Sequence, residues 1–324
     1  MARVQRITRT GGPDSFDWVA VDLPPPAPGE VRLRATAIGL NYIDTYHRTG
    51  LYPVELPAVL GAEGVGVIED VGSAVTGFAA GDRVATFGPA RGAYATHRNV
   101  AVDQLVRLPD TVSDEDAAAI LLKGATAWFL VERCARVAAG QDVLVHAAAG
   151  GVGLLLCGWL RDRGARVIGV VGSDAKAQRA RDAGADAVIL HRSEDIADRV
   201  RSLTDGAGVP VIFDGVGKAT WDASLDSAAR LGLIVSYGNA SGAVDGVKLG
   251  TLAAKGSLFV TRPTLFDYAR TPGERQSAAD AVFAMLAKGA IAATIGQRFA
   301  LRDVSDAHRA IEAGETVGST ILLP

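Results

Sequence analysis

The sequence predicts an α/β protein of two domains, a doubly wound parallel sheet and a smaller, partly open β-barrel, on three observations. Short apolar runs alternate with amphipathic helices between residues 142 and 261. A glycine-rich turn closes the first of those runs, and the residues before about 122 break into short strands bounded by glycine. Strands alternating with helices imply a parallel sheet covered on both faces. Many short strands with glycine turns imply a barrel.

The first apolar run, Asp142–Val145, leads into His146-Ala-Ala-Ala-Gly-Gly-Val-Gly153 and a second run, Leu154–Leu156. Strand, glycine turn and helix start form the arrangement that holds a dinucleotide pyrophosphate. Glycines let the backbone approach the phosphates, and the free N–H groups and dipole of the helix N-terminus attract their charge. The spacing is Ala148-x-Gly150-x-x-Gly153, with alanine in place of the first glycine of the usual fingerprint. An ordinary tight turn has the same look, so the surroundings decide. Strands at Arg166–Val171, Ala187–Leu190, Val209–Phe213 and Gly232–Tyr237 alternate with helices at Asp174–Ala183, Ser193–Leu203 and Trp221–Arg230. Gly184 ends the first helix, and Ile196, Val200 and Leu203 share one face of the second. Pro210 points to an edge or a strand-start position. Ser257–Thr261 is the last strand, at the sheet edge. The pattern is a Rossmann sheet, and within it the turn reads as a cofactor site.

In the first domain Val31–Ala35 alternates as a half-buried strand within Glu30–Ala37, after a rigid proline-rich turn, Leu23–Gly29. Gly64–Glu69, Asp82–Phe87, Gly92–Thr96 and Leu105–Leu108 continue the series, with Gly66 and Gly72 as turn residues. Asp114–Leu122 is the helix that leads into the nucleotide domain. Near the C-terminus Ala278–Lys288 is a helix, and Gln297–Leu301 and Ser319–Leu323 read as strands, the last rejoining the first domain. The expected division is therefore 1–122, 123–262 and 263–324.

A net charge of −3 and a pI of about 6.0 argue against a broad basic surface for nucleic acid or anionic lipid. No apolar stretch is long enough to span a bilayer, and MARVQRITRT lacks the apolar core of a signal peptide. Two cysteines, Cys134 and Cys157, give no disulfide framework and fit a reducing compartment, so the expected location is the cytoplasm.

With these pieces in view, the chain resembles the zinc-free quinone oxidoreductases, the zeta-crystallin-like group of the medium-chain dehydrogenase/reductase superfamily. The resemblance runs nearly end to end. It is carried by Asn41-Tyr-Ile-Asp-Thr-Tyr46, Gly50-Leu-Tyr-Pro53, Gly61-Ala-Glu-Gly64, Ala80-Gly-Asp-Arg-Val84, Lys123-Gly-Ala-Thr126, the glycine turn, Tyr237-Gly-Asn239 with Ser241-Gly242, and Thr261-Arg-Pro263. It implies a GroES-like catalytic domain built from both chain ends, a Rossmann domain between them and an active site in the cleft. It also implies NADPH-dependent reduction of quinones in a homodimer joined through the Rossmann sheet edge. Two other functions stay open. One is reduction of conjugated C=C bonds in enones or enoyl compounds. The other is an RNA-binding or lens-type structural role, which the mildly acidic balance does not favour.

Zinc-dependent relatives use an early cysteine and the histidine of a Gly-His-Glu stretch. Here that stretch is Gly61-Ala62-Glu63, no cysteine precedes Cys134, and the five histidines show no ligand spacing. No metal is expected. An electron-poor acceptor needs less help than an alcohol, because its oxyanion is delocalised, and the hydride comes from the cofactor.

Asn41, Tyr46 and Tyr52 are the candidates at the acceptor. Tyrosine offers a flat apolar face and a hydroxyl, and an amide can orient a carbonyl or the cofactor. From residue type alone the plainer reading is that the tyrosines are wall residues and Asn41 caps a helix at Tyr42–Arg48. The resemblance implies that they line the site. For the cofactor it implies Lys123, Thr126, Gly150, Gly151, Val152, Gly238, Asn239, Ser241 and Arg262. Ser173 and Lys176 follow the second strand, where NAD enzymes carry an acid, and a hydroxyl with an ammonium suits a 2′-phosphate. A capping serine and a solvated lysine would look the same. Asp174 would repel that phosphate if it faced inward. His191 stands where close relatives carry a tyrosine, and Gly314 where they carry an arginine.

Overall fold

The computed structural model describes every residue except Glu315. The chain forms two compact units. One holds Met1–Lys123, Ala269–Phe283 and Ala293–Pro324; the other holds Gly124–Tyr268 and Ala284–Ala292. This division differs from the expected 122/123 and 262/263. Tyr268 stays with the second unit because its ring stacks on Phe129, centroids 4.7 Å apart. Ala284–Ala292 stays there too, and its Lys288 pairs with Asp162 at 2.6 Å.

The second unit is a six-stranded parallel sheet. Its order is Ala187–Leu190, Arg166–Val171, Asp142–His146, Val209–Asp214, Ala228–Ser236, Phe259–Thr261. The order reverses between Asp142–His146 and Val209–Asp214, and ligands bind such sheets beyond the carboxyl ends at that switch. Leu144, Ile168, Ile189, Ile212 and Ile234 fill one face against Val200 and Leu225. Three readings need correction. The helix expected from Ser193 is Ile196–Leu203, because Asp195 caps it, its side chain accepting from Asp198 N at 2.9 Å. The helix from Trp221 stops at Ser227, and Ala228–Arg230 already belong to the next strand. The Arg201 guanidinium, donating to Asp226 O and Ala228 O at 2.8 Å each, pins that change of direction. Of the two positions expected for Pro210, the edge is wrong, since its strand is central, and the strand start holds. Pro210 is the second residue of that strand and falls where the register shifts between Val209 and Val211, ahead of the regular ladder.

The first unit carries a seven-stranded sheet in the order Ile295–Ala300, Ser319–Leu323, Glu30–Leu40, Glu63–Val71, Arg83–Phe87, Leu105–Arg107, with His97–Ala101 also on Glu30–Leu40. A second sheet joins Phe16–Val21, Ala2–Ile7 and Ala58–Val59. The strand expected at Gly92–Thr96 is absent: Ala95 makes one isolated bridge to Val4, and the strand begins at His97. Gly66 is not a turn residue. It lies inside Glu63–Val71, where a Cβ would come within 2.2 Å of Arg34 O on the neighbouring strand. The helix from Asp114 runs past Leu122 to Trp128 and continues as a π-helical turn, Phe129–Cys134. The helix expected from Ala278 starts at Pro272. Proline suits a first turn, and Glu274 accepts from Thr271 N while Thr271 Oγ1 accepts from Glu274 N. Among the described residues no helix is long and apolar enough to cross a membrane.

Candidate active site

In the first unit the site grows from the helix Tyr42–Thr49, which ends at Gly50 in the left-handed region, φ 84°. Asn41 stands at its N-cap. Asp44, the third helical residue, accepts from Asn41 N at 3.0 Å and, with its other oxygen, from Ala62 N at 3.0 Å. Asp44 is wholly buried. Burial pushes its carboxyl up to about 7, against the pull of hydrogen bonds from Asn41, Tyr94 and Ala62 and of the Lys123 charge.

The Asn41 side chain shares a capping box with Asp44, and its amide also reaches out of the helix. Nδ2 donates to Glu63 Oε2 at 3.0 Å and to Gly39 O at 3.3 Å. Glu63 Oε1 accepts from Leu122 N at 2.6 Å, and Lys123 Nζ lies 3.7 Å from Oε2. Both members of this ion pair are buried. Burial raises the Glu63 carboxyl and lowers the Lys123 ammonium, and each holds the other charged. Tyr46 is buried and Tyr52 half-buried, with rings edge to face at 5.2 Å and Tyr52 N donating to Tyr46 O at 3.0 Å. Asn41, Tyr46 and Tyr52 are thus gathered on one helix and the loop after it. Lys123, expected toward the cofactor, belongs with Asn41 through Glu63.

Asp44 and Glu63 escaped the reading of the sequence. The available signal was a lone acid within Val59-Leu-Gly-Ala-Glu-Gly-Val-Gly-Val67, since a carboxylate inside an apolar run requires a buried cation. Among the described residues no group of three or more His, Cys, Asp or Glu is placed to hold a metal.

In the second unit Gly150 is the N-cap of Gly151–Asp162, and Gly151 and Val152 are its first residues. A Cβ at Gly153 would sit 2.2 Å from Ala147 O, so only glycine permits this tight approach. No acid occupies the first helical turn, which leaves its N–H groups and dipole free to face anionic oxygen. The turn therefore fits a dinucleotide pyrophosphate. Beside it, Asp214 ends its strand as a buried acceptor for Val216 N, Gly217 N, Thr220 Oγ1 and Ser224 Oγ. Ser224 Oγ lies 3.0 Å from Nε2 of buried His146, which joins the 215–220 loop to the start of the glycine turn.

Arg262 and Ser241 support the loop after Ala228–Ser236. Arg262 Nη1 donates to Ser236 O and Gly238 O at 2.9 Å each. With its amide oriented so that both ends are paired, Asn239 donates to Gly238 O and accepts from Arg262 Nη2 at 2.9 Å. Ser241 Oγ donates to Val216 O and accepts from Ala219 N. Thr126 is half-buried on the helix Asp114–Trp128. Ser173 caps Asp174–Ala183, its hydroxyl accepting from the main-chain N of Lys176 at 3.4 Å. The exposed His191 ring lies 3.0 Å from a Cβ built at Gly172, and Arg192 Nε lies 3.5 Å from it. Ser173, Lys176 and His191 thus follow the carboxyl ends of two adjacent strands. Arg192 joins them unforeseen, and its guanidinium meets no hydrogen-bond or ion-pair partner among the described residues.

These two units are those of an alcohol-dehydrogenase-type chain. Residues 27–110 match the alcohol dehydrogenase GroES-like domain, and residues 151–296 the zinc-binding dehydrogenase domain. A quinone oxidoreductase of Pseudomonas aeruginosa is 49% identical, with all of both chains covered. The crystal structure of Escherichia coli quinone oxidoreductase complexed with NADPH is 43% identical, covers all of both chains and has a TM-score of 0.97. A 2-haloacrylate reductase of a Burkholderia species is 40% identical over 98% of each chain. The chain belongs to the quinone oxidoreductases of the medium-chain dehydrogenase/reductase superfamily.

Proposed function

We propose that this chain reduces quinones with NADPH and without zinc. The observation that carries the reading is full-length likeness, at a TM-score of 0.97, to an NADPH complex of a quinone oxidoreductase, together with a turn that only Gly153 permits. When bound, the nicotinamide supplies the hydride. The chain's own residues do the rest. The N-terminus of Gly151–Asp162 holds the pyrophosphate, with Val152 in its first turn. Gly238 and Asn239, braced by Arg262 and Ser241, shape the adjoining wall, and Thr126 faces the ribose. Ser173, Lys176 and His191 hold the 2′-phosphate, to which Arg192 adds a guanidinium suited to phosphate oxygens. Asn41, Tyr46 and Tyr52 receive the acceptor, the tyrosines by ring contact with a flat quinone.

A second reading is reduction of a conjugated C=C bond, favoured by the 40% identity to a 2-haloacrylate reductase. NADPH oxidation measured across a panel of quinones and enones separates the two. Quinone turnover with a higher kcat/KM than any enone is expected, and the reverse order would install the second reading. We place the protein in the cytoplasm, on two free cysteines and no bilayer-spanning helix among the described residues. We also infer a homodimer joined along the strand Phe259–Thr261.

A further inference from the structure

The second residue of the stretch His146–Gly153 stands in the left-handed region. Ala147 has φ 51°, a conformation that disfavours a residue with a Cβ by about tenfold. Its carbonyl is the centre of the glycine turn. The oxygen accepts from Gly150 N at 2.9 Å, and it is the atom that a Cβ at Gly153 would meet. Ala148 N donates to Val170 O on the neighbouring strand at 3.1 Å. Strained backbone persists only where its surroundings over-determine it.

The side chain before Ala147 supplies the constraint. His146 ends its strand wholly buried, and burial lowers its pKa, so the ring is neutral and carries one N–H. Ser224 Oγ lies 2.8 Å from Asp214 Oδ2 and 3.0 Å from His146 Nε2. A carboxylate only accepts, so Ser224 gives its single hydrogen to Asp214 and receives the one on His146 Nε2. Among the described residues His146 Nδ1 meets no partner, and Ser224 is the one polar tie of the ring. Asp214 is fixed in turn by Val216 N, Gly217 N and Thr220 Oγ1, and its strand is paired with the one that His146 ends. All three side chains are buried.

We propose that Asp214, Ser224 and His146 are positioning residues that hold Ala147 left-handed, so that the glycine turn is set to receive a pyrophosphate before any cofactor arrives. They act through the main chain of Ala147 and need touch no ligand. This rests on the reading above of the turn as a pyrophosphate cradle.

Ser224→Ala breaks the chain, and Ala147→Gly removes the need for it, because glycine adopts left-handed backbone without strain. The two changes are combined in a double-mutant cycle read by NADP+ affinity. Ser224→Ala alone should weaken NADP+ about tenfold, the cost of left-handed alanine. In the presence of Ala147→Gly the same change should cost about threefold or less. Adenosine 2′-monophosphate, which lacks the pyrophosphate, should bind every variant alike. An equal loss of NADP+ affinity with and without Ala147→Gly, no loss at all, or an equal loss for both ligands overturns the proposal. His146→Gln offers Nε2 to Ser224 as the imidazole does and should keep NADP+ affinity, whereas His146→Leu should behave as Ser224→Ala; equal effects of the two would also overturn it. Amide exchange needs no ligand. In the unaltered protein Ala148 N and Gly150 N are expected to exchange slowly without cofactor, and faster in Ser224→Ala. Fast exchange in the unaltered protein that slows only on adding NADP+ would show that the cofactor forms the turn, and would rule the anchor out. If the unaltered protein fails to bind NADP+, the cradle reading falls, while the exchange comparison still decides the anchor.

Discussion

Lys176 has two nitrogens with separate duties. Its main-chain N–H closes the Ser173 cap, and its side-chain ammonium is the group proposed for the 2′-phosphate. Lys176→Ala therefore keeps the cap and removes the ammonium. A charge-assisted contact is worth roughly 1.5–3 kcal/mol, so the KM for NADPH should rise about tenfold or more while that for NADH hardly moves. Equal rises for both cofactors would show that Lys176 does not read the phosphate. Tyr52 is the corresponding residue proposed at the acceptor. Its ring packs edge-on against Tyr46 and against His47 at 5.8 Å. Tyr52→Ala should lower kcat/KM for bulky quinones by about threefold to tenfold, the worth of one aromatic pair, with NADP+ affinity unchanged. Collapse of NADP+ affinity with intact quinone kinetics would remove Tyr52 from the acceptor site.

At the scale of elements, the glycine turn and the helix Tyr42–Thr49 each have a measurable signature. Gly153→Ala puts a methyl 2.2 Å from a main-chain oxygen, which cannot move as a side-chain tip can. The variant should lose about 1–3 kcal/mol of stability and bind NADP+ poorly; an unchanged melting temperature with normal binding would contradict the cradle. The helix Tyr42–Thr49 has its own signature in pH. Asp44 titrates at about 7 in the fold, above the ordinary carboxylate value of 3.8. The folded state thus binds the extra proton, and this stability, complete below the ordinary value, is lost as pH rises toward 7. Compared with Asp44→Asn, the unaltered protein should lose stability to urea between about pH 4 and 7; parallel profiles would place the Asp44 titration elsewhere. The strands of the parallel sheet were legible because each is a short apolar run set off by helical spacing. The passage from Trp221–Ser227 into Ala228–Ser236 was not, because no glycine or proline marks it. Ala2–Ile7 was missed because Gln5 occupies a buried place, donating to Leu301 O and Arg302 O far along the chain. Asp44 and Glu63 were hidden for the same reason. Asp44 has one local partner, Asn41 N, but its contact with Ala62 and that of Glu63 with Lys123 lie far along the chain, and local spacing carries no trace of contacts that distant.

At the scale of the whole molecule, the parallel sheet ends at two strands, Ala187–Leu190 and Phe259–Thr261, and the second is the more apolar and exposed. Phe259–Thr261 pairs with Ala228–Ser236 on one side only and ends the parallel sheet. Phe259 is 60% exposed and Val260 36%, a large apolar pair on a strand without proline or charge. Leu231, Val247 and Leu249 are also exposed. Open edges of this kind invite pairing with another chain, and two copies about a twofold axis pair antiparallel and leave nothing further to extend. That edge is legible from its residues alone, as the last apolar run of the alternating series without proline or charge, although the strand begins at Phe259 and not at Ser257, which has φ 57°. A dimer along this edge, as proposed, would follow from the strand order and not from a special motif. Light scattering should give a mass near twice the 33.5 kDa chain. A single species at the chain mass would refute the dimer. Phe259→Pro removes a ladder donor and should shift the protein toward monomer, whereas a dimer indifferent to it would have its interface on another surface.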